Sequence, residues 1–131
     1  MKILITGDRN WTDTQIIWNA LCSYHSGSDA IELIHGAARG VDTIGSVLAK
    51  VLDWKVTPER AKWHIYGRPA GAIRNRVMLD KQPDVVLAFH DNLYTGSRGT
   101  KDCVDEAIKR GIPVILYTTW GNPEELSQKP T

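Results

Sequence analysis

This chain of 131 residues has few cysteines and no long apolar run. Its two cysteines, Cys22 and Cys103, are far apart and lack metal-ligand spacing, which predicts reduced, buried thiols. No stretch approaches the roughly 20 apolar residues that a membrane helix needs. The first apolar run ends at Gly7, which does not fit a signal peptide. We therefore expect a cytoplasmic protein without membrane association, and we expect neither a metal ion nor a bound cofactor.

Charge is nearly balanced, with 16 Lys and Arg against 15 Asp and Glu and a net charge of +1. That balance excludes a strong global attraction to nucleic acid or to membranes. Basic residues nevertheless cluster locally, with Trp63 and Tyr66 among them: Arg60, Lys62, Arg68, Arg74 and Arg76. A basic segment with interleaved aromatic residues keeps single-stranded nucleic acid open as a ligand.

Apolar patterns alternate along the chain between strands and helices, which is typical of an α/β fold. The spacing predicts five strands, over residues 2–6, 31–35, 54–57, 84–89 and 112–117. It predicts helices that begin near Thr12 or Asp13, and over 40–52, 70–81 and 102–110, with Ile73 and Val77 of the third facing the core. We expect one domain over 1–120, with a mainly parallel five-stranded sheet and helices on both faces. Residues 59–69 are predicted to form a long loop, and 121–131 a polar tail.

Three glycine-bearing turns follow predicted strands, and each carries an arginine. Parallel strands bring their carboxyl ends to one edge of the sheet, where ligands bind in such folds. Because three turns would meet at that edge, the pattern predicts a ligand site. Its candidate residues in the first two turns are Gly7, Arg9, Gly36, Arg39, Gly40 and Asp42.

The third turn precedes a predicted helix and contributes Gly96, Ser97, Arg98, Gly99 and Thr100. Glycine allows close backbone approach, and the first N–H groups of a helix have no internal partner, so this turn is suited to a phosphate. The alternative is a plain tight turn with a threonine helix cap. A P-loop is excluded because no Gly-Lys-Ser/Thr sequence is present.

Individual side chains suggest further roles. Arg39 is suited to a phosphate through its planar guanidinium. Asp42 would hold a ribose hydroxyl or cap its helix, with the two alternatives about equal. Arg74 would reach the strand ends, whereas Arg76 points elsewhere because residues i and i+2 do not share a helix face. His35 and His90 end two strands and are weaker candidates.

These motifs together resemble the SLOG superfamily, in the branch that contains YspA and the YpsA-related proteins. The resemblance covers about residues 2–117 and is carried by Ile5-Thr6-Gly7-Asp8-Arg9-Asn10-Trp11, His35-Gly36-Ala37-Ala38-Arg39-Gly40-Val41-Asp42, Ile73-Arg74-Asn75-Arg76 and Gly96-Ser97-Arg98-Gly99-Thr100. It implies a Rossmann-like fold and a nucleotide or nucleotide-derived ligand, held by the residues above, Asn75 included. It also implies a homo-oligomer, for which the loop with Trp63 and Tyr66 would serve as interface or lid.

The superfamily includes LOG enzymes that cleave the N-glycosidic bond of nucleoside monophosphates, DNA-processing relatives that bind single-stranded DNA, and proteins thought to sense NAD-derived signals such as cyclic ADP-ribose species. In the LOG enzymes a glutamate follows the glycine-rich motif, and alignment on Gly99 and Thr100 brings Cys103 to that position. Loss of that carboxylate favours binding over hydrolysis. We therefore expect a nucleotide-binding protein. The first alternative is an N-glycosidase in which Asp42 or another carboxylate replaces the glutamate, and the second alternative is a protein that binds single-stranded nucleic acid.

Overall fold

Six strands form one sheet in the computed structural model, which describes residues 1–27 and 29–127. The strands are β1 (Lys2–Gly7), β2 (Glu32–His35), β3 (Lys55–Pro58), β4 (Val85–Phe89), β5 (Val114–Tyr117) and β6 (Glu124–Leu126). Their order across the sheet is β3-β2-β1-β4-β5-β6, and only the β5–β6 pair is antiparallel. The predicted mainly parallel, Rossmann-like α/β architecture is confirmed.

Helices cover both faces of the sheet, as predicted. The four long helices are α1 (Thr14–Tyr24), α2 (Val41–Val51), α4 (Ala70–Asp80) and α6 (Gly99–Lys109). Two single-turn helices, α3 (Trp63–Tyr66) and α5 (Leu93–Gly96), lie in the connections before α4 and α6. Side chains of α1 and α2 contribute to one buried cluster, and those of α4 and α6 to another.

Strand β1 shows why two separate cores form. Its side chains alternate between the faces, so Ile3 and Ile5 join the α1–α2 cluster while Leu4 joins the α4–α6 cluster. All three are fully buried. A strand covered on both faces needs a continuous apolar run, and this requirement explains the composition of β1 and β4.

Two parts of the sequence interpretation need correction. The sheet has six strands, not five, because β6 lies within the segment predicted as a polar tail. Its three residues pair with β5 at the sheet edge and remain largely exposed, so hydropathy did not reveal them. Residues 128–131 of that tail lie outside the described residues. The predicted loop over 59–69 contains α3.

Helix α4 is rotated relative to the prediction. Ile73 and Val77 do not belong to either buried cluster, and the side chains that α4 buries are those of Ala70, Asn75, Met78 and Leu79. A polar residue, Asn75, occupies a buried position and is only 2% exposed. Apolar periodicity alone could not anticipate that orientation, because the asparagine has a polar role described below.

The order of the strands creates a crevice between β1 and β4. The chain passes from β1 to β2 and β3 on one side, then returns to form β4 on the other side of β1. In open α/β sheets such a reversal separates the connections that follow the two central strands and leaves a ligand crevice at their carboxyl ends. Gly7 and Phe89 are paired at that edge.

Both cysteines are free thiols; Cys103 is buried as predicted, whereas Cys22 is only partly buried. Within residues 1–27 and 29–127, no helix has the length and apolar character required to cross a membrane.

Helix α1 gives a direct stability test. The Asp13 side chain accepts a hydrogen bond from the backbone N–H of Ile16 at 3.2 Å, so Asp13 is the N-cap residue. We expect Asp13→Ala to lower the free energy of unfolding by about 1 kcal/mol, because one backbone donor loses its partner. Thr12→Ala, the control, should cost less than about 0.5 kcal/mol. Equal losses in urea unfolding would contradict this assignment.

Candidate functional site

A cavity of about 630 Å³ opens at the carboxyl ends of β1 and β4. This volume lies within the range of small-molecule sites. All the predicted site residues except Gly40 line it: Gly7, Arg9, Gly36, Arg39, Asp42, Arg74, Asn75, Gly96, Ser97, Arg98, Gly99 and Thr100. Thus the three turns do meet at one edge of the sheet.

Gly40 does not line this cavity and has a structural position instead. It is the N-cap residue of α2 and has φ of +72°, a conformation that favours glycine. A β-carbon at Gly40 would collide with the carbonyl oxygen of Asp8 and lie 2.6 Å from the carbonyl carbon of Arg9. The N–H of Val41 also donates to the Asp8 carbonyl at 3.3 Å. Gly40 therefore allows the turns after β1 and β2 to pack directly against each other.

Asp42 closes the turn after β2 and does not cap its own helix. Its Oδ2 accepts hydrogen bonds from the N–H groups of Gly36 at 3.0 Å and Ala38 at 3.2 Å. Burial raises the pKa of Asp42 from 3.8 to about 6, although both N–H donors and the charges of Arg74 and Arg9 oppose the shift. Asp42 is thus a structural carboxylate that also borders the cavity.

Arg74 and Asn75, adjacent on α4, connect the second turn to the third. Arg74 Nη1 donates to the Gly36 carbonyl at 2.5 Å, and its Nε donates to Asn75 Oδ1 at 3.0 Å. Asn75 Nδ2 donates to the Gly99 carbonyl at 3.1 Å and to Asp102 Oδ2 at 3.0 Å. The two side chains form a continuous polar bridge across the cavity wall.

Arg74 lies directly against Gly36, so a side chain at this position would not fit. A β-carbon at this position would be 2.5 Å from Arg74 Nη1 and 2.8 Å from Cζ. Such contacts are too close for any substituted residue unless the guanidinium moves. Glycine at position 36 therefore leaves space for the Arg74 guanidinium, which in turn holds the second turn by its hydrogen bond to the Gly36 carbonyl.

The third turn, which is the glycine-rich turn at residues 96–100, ends at the N-terminus of α6. Gly99 and Thr100 are the first residues of that helix, and their N–H groups have no partner within it. Ser97 Oγ accepts from the N–H of Lys101 at 3.2 Å, while the N-cap residue is Arg98 and makes no side-chain capping hydrogen bond, so the threonine is not the cap. A β-carbon at Gly99 would meet no described residue within 4 Å. The backbone here is consequently open to close approach.

The polar lining of the cavity has an excess of positive charge. It includes five arginines and three aspartates: Arg9, Arg39, Arg68, Arg74, Arg98, Asp8, Asp42 and Asp102. Asp102 is already engaged, since Arg76 Nη1 lies 3.2 Å from its Oδ2. Arg76 also contacts Glu106 at 3.5 Å, so it belongs to an ion-pair network and not to the cavity wall. The guanidinium groups of the five arginines that do line the cavity suit an anionic ligand.

His35 and His90 have the same local role at the ends of β2 and β4. In each case Nδ1 accepts a hydrogen bond of 2.9 Å from the N–H two residues later, Ala37 or Asn92. Burial, followed by the charges of Lys50, Arg60 and Arg74, lowers the pKa of His35 and favours this neutral acceptor form. Only His90 borders the cavity. Within residues 1–27 and 29–127, no three His, Cys, Asp or Glu side chains are grouped to hold a metal ion.

Cys103 lies in the core between α6 and the sheet, as its apolar neighbours predicted. Burial raises the pKa of its thiol to about 12, which leaves it protonated at neutral pH. A thiol in that state is a poor nucleophile. Cys103 therefore supplies neither charge nor nucleophile at the position where LOG enzymes have a glutamate.

Several residues that line the cavity were not in the predicted set. Trp63 was predicted as part of an interface or lid and as an aromatic residue of a possible nucleic acid site, and His90 only as a weak candidate; both border the cavity. The other additions are Thr6, Asp8, Asn10, Ala38, Arg68, Gly71, Ala72, Met78 and Asp102. Thr6, Asp8 and Asn10 flank Gly7 and Arg9, so the position of the first turn was a usable signal. Met78 and Asp102 depend on helix rotation, which the sequence did not determine.

The raised pKa of Asp42 makes stability depend on pH. Between pH 4 and 6 the folded state binds more protons at Asp42 than the unfolded state, so stability falls as pH rises through this window. A shift of about 2 units corresponds to at most about 3 kcal/mol. Relative to Asp42→Asn, the unmodified protein should lose about 1–3 kcal/mol of unfolding free energy between pH 4 and pH 7. A constant difference across urea titrations at these pH values would contradict the assignment.

Comparison with solved structures supports the fold. DNA processing protein A (DprA) from Streptococcus pneumoniae superposes with a TM-score of 0.70 at 14% sequence identity. The match covers 88% of this chain and 49% of DprA, so the chain spans about half the length of that protein. At this identity the likeness shows the fold alone.

Comparison of sequences identifies the family. "Gene 61 protein" of Mycobacterium phage D29 is 41% identical over 122 residues, which cover 88% of this chain and 95% of that protein. The model of the YspA, cpYpsA-related SLOG family (YAcAr) matches residues 1–66. Since this match spans half of the chain, and the motifs on which the resemblance rested include its first two turns, the chain belongs to the YspA, cpYpsA-related SLOG family.

Proposed function

We propose that this protein binds a nucleotide or nucleotide derivative with a phosphorylated ribose in the cavity at the carboxyl edge of the sheet. The observation that carries the proposal is the convergence of three turns on one cavity of about 630 Å³ that also exposes the N-terminus of α6. Helix N-termini attract anions through their unpaired N–H groups and the helix dipole. Membership of a SLOG family is consistent with this ligand class.

The binding arrangement follows from the walls of the cavity. A phosphate would accept hydrogen bonds from the N–H groups of Gly99 and Thr100, with Arg98 beside it. The indole of Trp63 provides a flat apolar surface for the base. Arg39 and the free edge of Arg74 would neutralise remaining negative charge. ADP-ribose and NAD-derived signals fall in this class, as do simple nucleoside monophosphates.

Gly99→Ala separates binding from folding. The added methyl meets no described residue within 4 Å, and φ at this position is not positive, so the free energy of unfolding should be unchanged or rise by up to about 1 kcal/mol. The methyl would, however, obstruct a phosphate at the helix N-terminus. Titration calorimetry with AMP, ADP-ribose, NAD and cyclic ADP-ribose should show at least about tenfold weaker binding of the preferred ligand, a change of about 1.4 kcal/mol.

Lys109→Ala at the opposite end of α6 is the control, because Lys109 is exposed and distant from the helix N-terminus. It should leave the dissociation constant unchanged. Absence of binding by the unmodified protein to all four compounds, in calorimetry and in thermal shift, would refute the proposal. Equal affinities of the unmodified protein and Gly99→Ala would refute the assignment of the phosphate to α6.

An N-glycosidase is the second candidate, because two carboxylates besides Asp8 border the cavity. Asp42 and Asp102 are those residues, and a carboxylate can stabilise the oxocarbenium-like transition state of base release. Both carboxylates already have partners within the protein. Asp42 accepts hydrogen bonds from two backbone N–H groups, and Asp102 is paired with Asn75 and Arg76. These contacts favour binding without hydrolysis.

Incubation with nucleoside monophosphates and NAD, followed by chromatography, distinguishes the two candidates. We expect no released base, because each carboxylate on the wall already has hydrogen-bond partners and the position of the LOG glutamate is a buried thiol. Release of base that is lost in Asp42→Asn, with binding retained, would instead establish the glycosidase.

Single-stranded nucleic acid and self-association remain proposals of lower rank. DprA is named a DNA processing protein, which suggests a polynucleotide, but Arg76 of the basic segment is already paired with Asp102 and Glu106. A homo-oligomer would use the exposed apolar side chains of α3, where Ile65 is 60% exposed and Tyr66 46% exposed.

A further inference from the structure

A second, smaller pocket is dominated by arginine. It adjoins the cavity of about 630 Å³ at the carboxyl ends of β1 and β4, which we call the main cavity. We call the smaller one the arginine pocket; it has a volume of about 320 Å³. Its wall carries the side chains of Arg9, Arg39, Arg60 and Arg74 together with Trp63. Among the described residues that line it, none is acidic. The main cavity, by contrast, includes three aspartates.

The arginine pocket and the main cavity are adjacent. They share Arg9, Arg39, Trp63 and Arg74 as lining residues, together with Gly36 and Ala38. The arginine pocket includes no residue of the glycine-rich turn at 96–100, whereas all five residues of that turn border the main cavity. Two features suited to anions therefore lie in two adjacent pockets, and Trp63 borders both.

Most of these guanidinium groups are unpaired. Arg9, Arg39 and Arg60 make no ion pair within 4.0 Å with any carboxylate in residues 1–27 and 29–127. Arg76 and Arg110, outside the pocket, both have carboxylate partners. Arg74 uses Nη1 and Nε within the bridge to Gly36 and Asn75, which leaves Nη2 available.

Four like charges in one pocket repel one another unless an anion neutralises them. Burial lowers the pKa of Arg74, and the charge of Arg9 adds to this shift whereas that of Asp42 opposes it. Burial also lowers the pKa of His35, with the charges of Lys50, Arg60 and Arg74 acting in the same direction. A phosphate accepts several N–H donors at once and is the ligand that a fork of guanidinium groups fits best. The concentration of unpaired arginine is therefore better suited to an anion than to solvent alone.

We infer that the arginine pocket is a second phosphate subsite, so that the ligand is a nucleotide with two phosphates at separate positions. The inference rests on the proposed function, because it assigns the first phosphate to the N-terminus of α6. Two phosphates joined through one ribose, as in a nucleoside 3′,5′-bisphosphate, have this chemistry. Successive phosphates of a short single strand share it. The ribose would lie between them, and its base would lie against Trp63.

Arg60 provides a clean test because it lines the arginine pocket and not the main cavity. Calorimetry would compare adenosine 3′,5′-bisphosphate with adenosine 5′-monophosphate. We expect the unmodified protein to bind the bisphosphate at least about tenfold more tightly, which corresponds to about 1.4 kcal/mol. Arg60→Ala should reduce the affinity for the bisphosphate to within about twofold of that for the monophosphate.

Lys62→Ala is the matched control. Lys62 lies in the same segment, carries the same charge and is exposed, but it borders neither cavity. It should keep the tenfold preference. Thermal unfolding of both variants checks that neither change, at an exposed side chain, alters the fold.

The outcomes separate the inference from the proposed function. Equal affinities for the two compounds, or a preference that survives Arg60→Ala, would overturn the second subsite and leave nucleotide binding intact. Absence of binding by either compound would overturn both. A 5′-phosphorylated dinucleotide and an eight-nucleotide strand, titrated alongside, identify the source of the ligand: tighter binding of the strand indicates nucleic acid, and tighter binding of the bisphosphate indicates a free nucleotide.

Discussion

The polar bridge made by Arg74 and Asn75 holds the candidate site together. It joins the Gly36 carbonyl of the second turn to the Gly99 carbonyl of the third, through one guanidinium and one buried amide. Each group of the Asn75 amide has a partner, so the asparagine can occupy a core position without leaving a polar atom unpaired. Gly36 is required because the guanidinium lies directly against it. This contact therefore fixes the position of the second turn relative to α4.

Charge makes the cavity better suited to an anionic ligand than to an uncharged metabolite. The chain as a whole is almost neutral, yet arginines outnumber aspartates among the residues that line the cavity, and no acidic residue is among those described as lining the arginine pocket. The three aspartates already have partners within the protein: Asp8 accepts from the N–H of Asn10, Asp42 closes a turn, and Asp102 pairs with Asn75 and Arg76. The free positive groups then remain for the ligand, and their separation on two walls is the basis for assigning two phosphates.

Much of the fold was predictable from the sequence, because β1 and β4 are continuous apolar runs and α1, α2 and α6 have a clear apolar period. The first two turns were recognisable for a similar reason, since Gly7 ends β1 and Gly36 directly follows β2, whereas the third turn is separated from β4 by α5. The orientation of α4 was not predictable, because a buried Asn75 contradicts apolar periodicity and its partners are distant in sequence. The bonds of Asp42 to Gly36 and Ala38 were also not anticipated, because they join the carboxylate to the preceding turn and not to the N-terminus of its own helix. Strand β6 is too short and too exposed for hydropathy to indicate it.

The central claim is that a nucleotide phosphate lies against the N-terminus of α6. A crystal structure of the protein grown with a saturating concentration of the tightest-binding nucleotide tests this claim most directly. The account predicts phosphate density within hydrogen-bond distance of the Gly99 and Thr100 N–H groups, roughly 2.7–3.2 Å. A nucleotide bound at another surface, or with its phosphates directed away from α6, would contradict it.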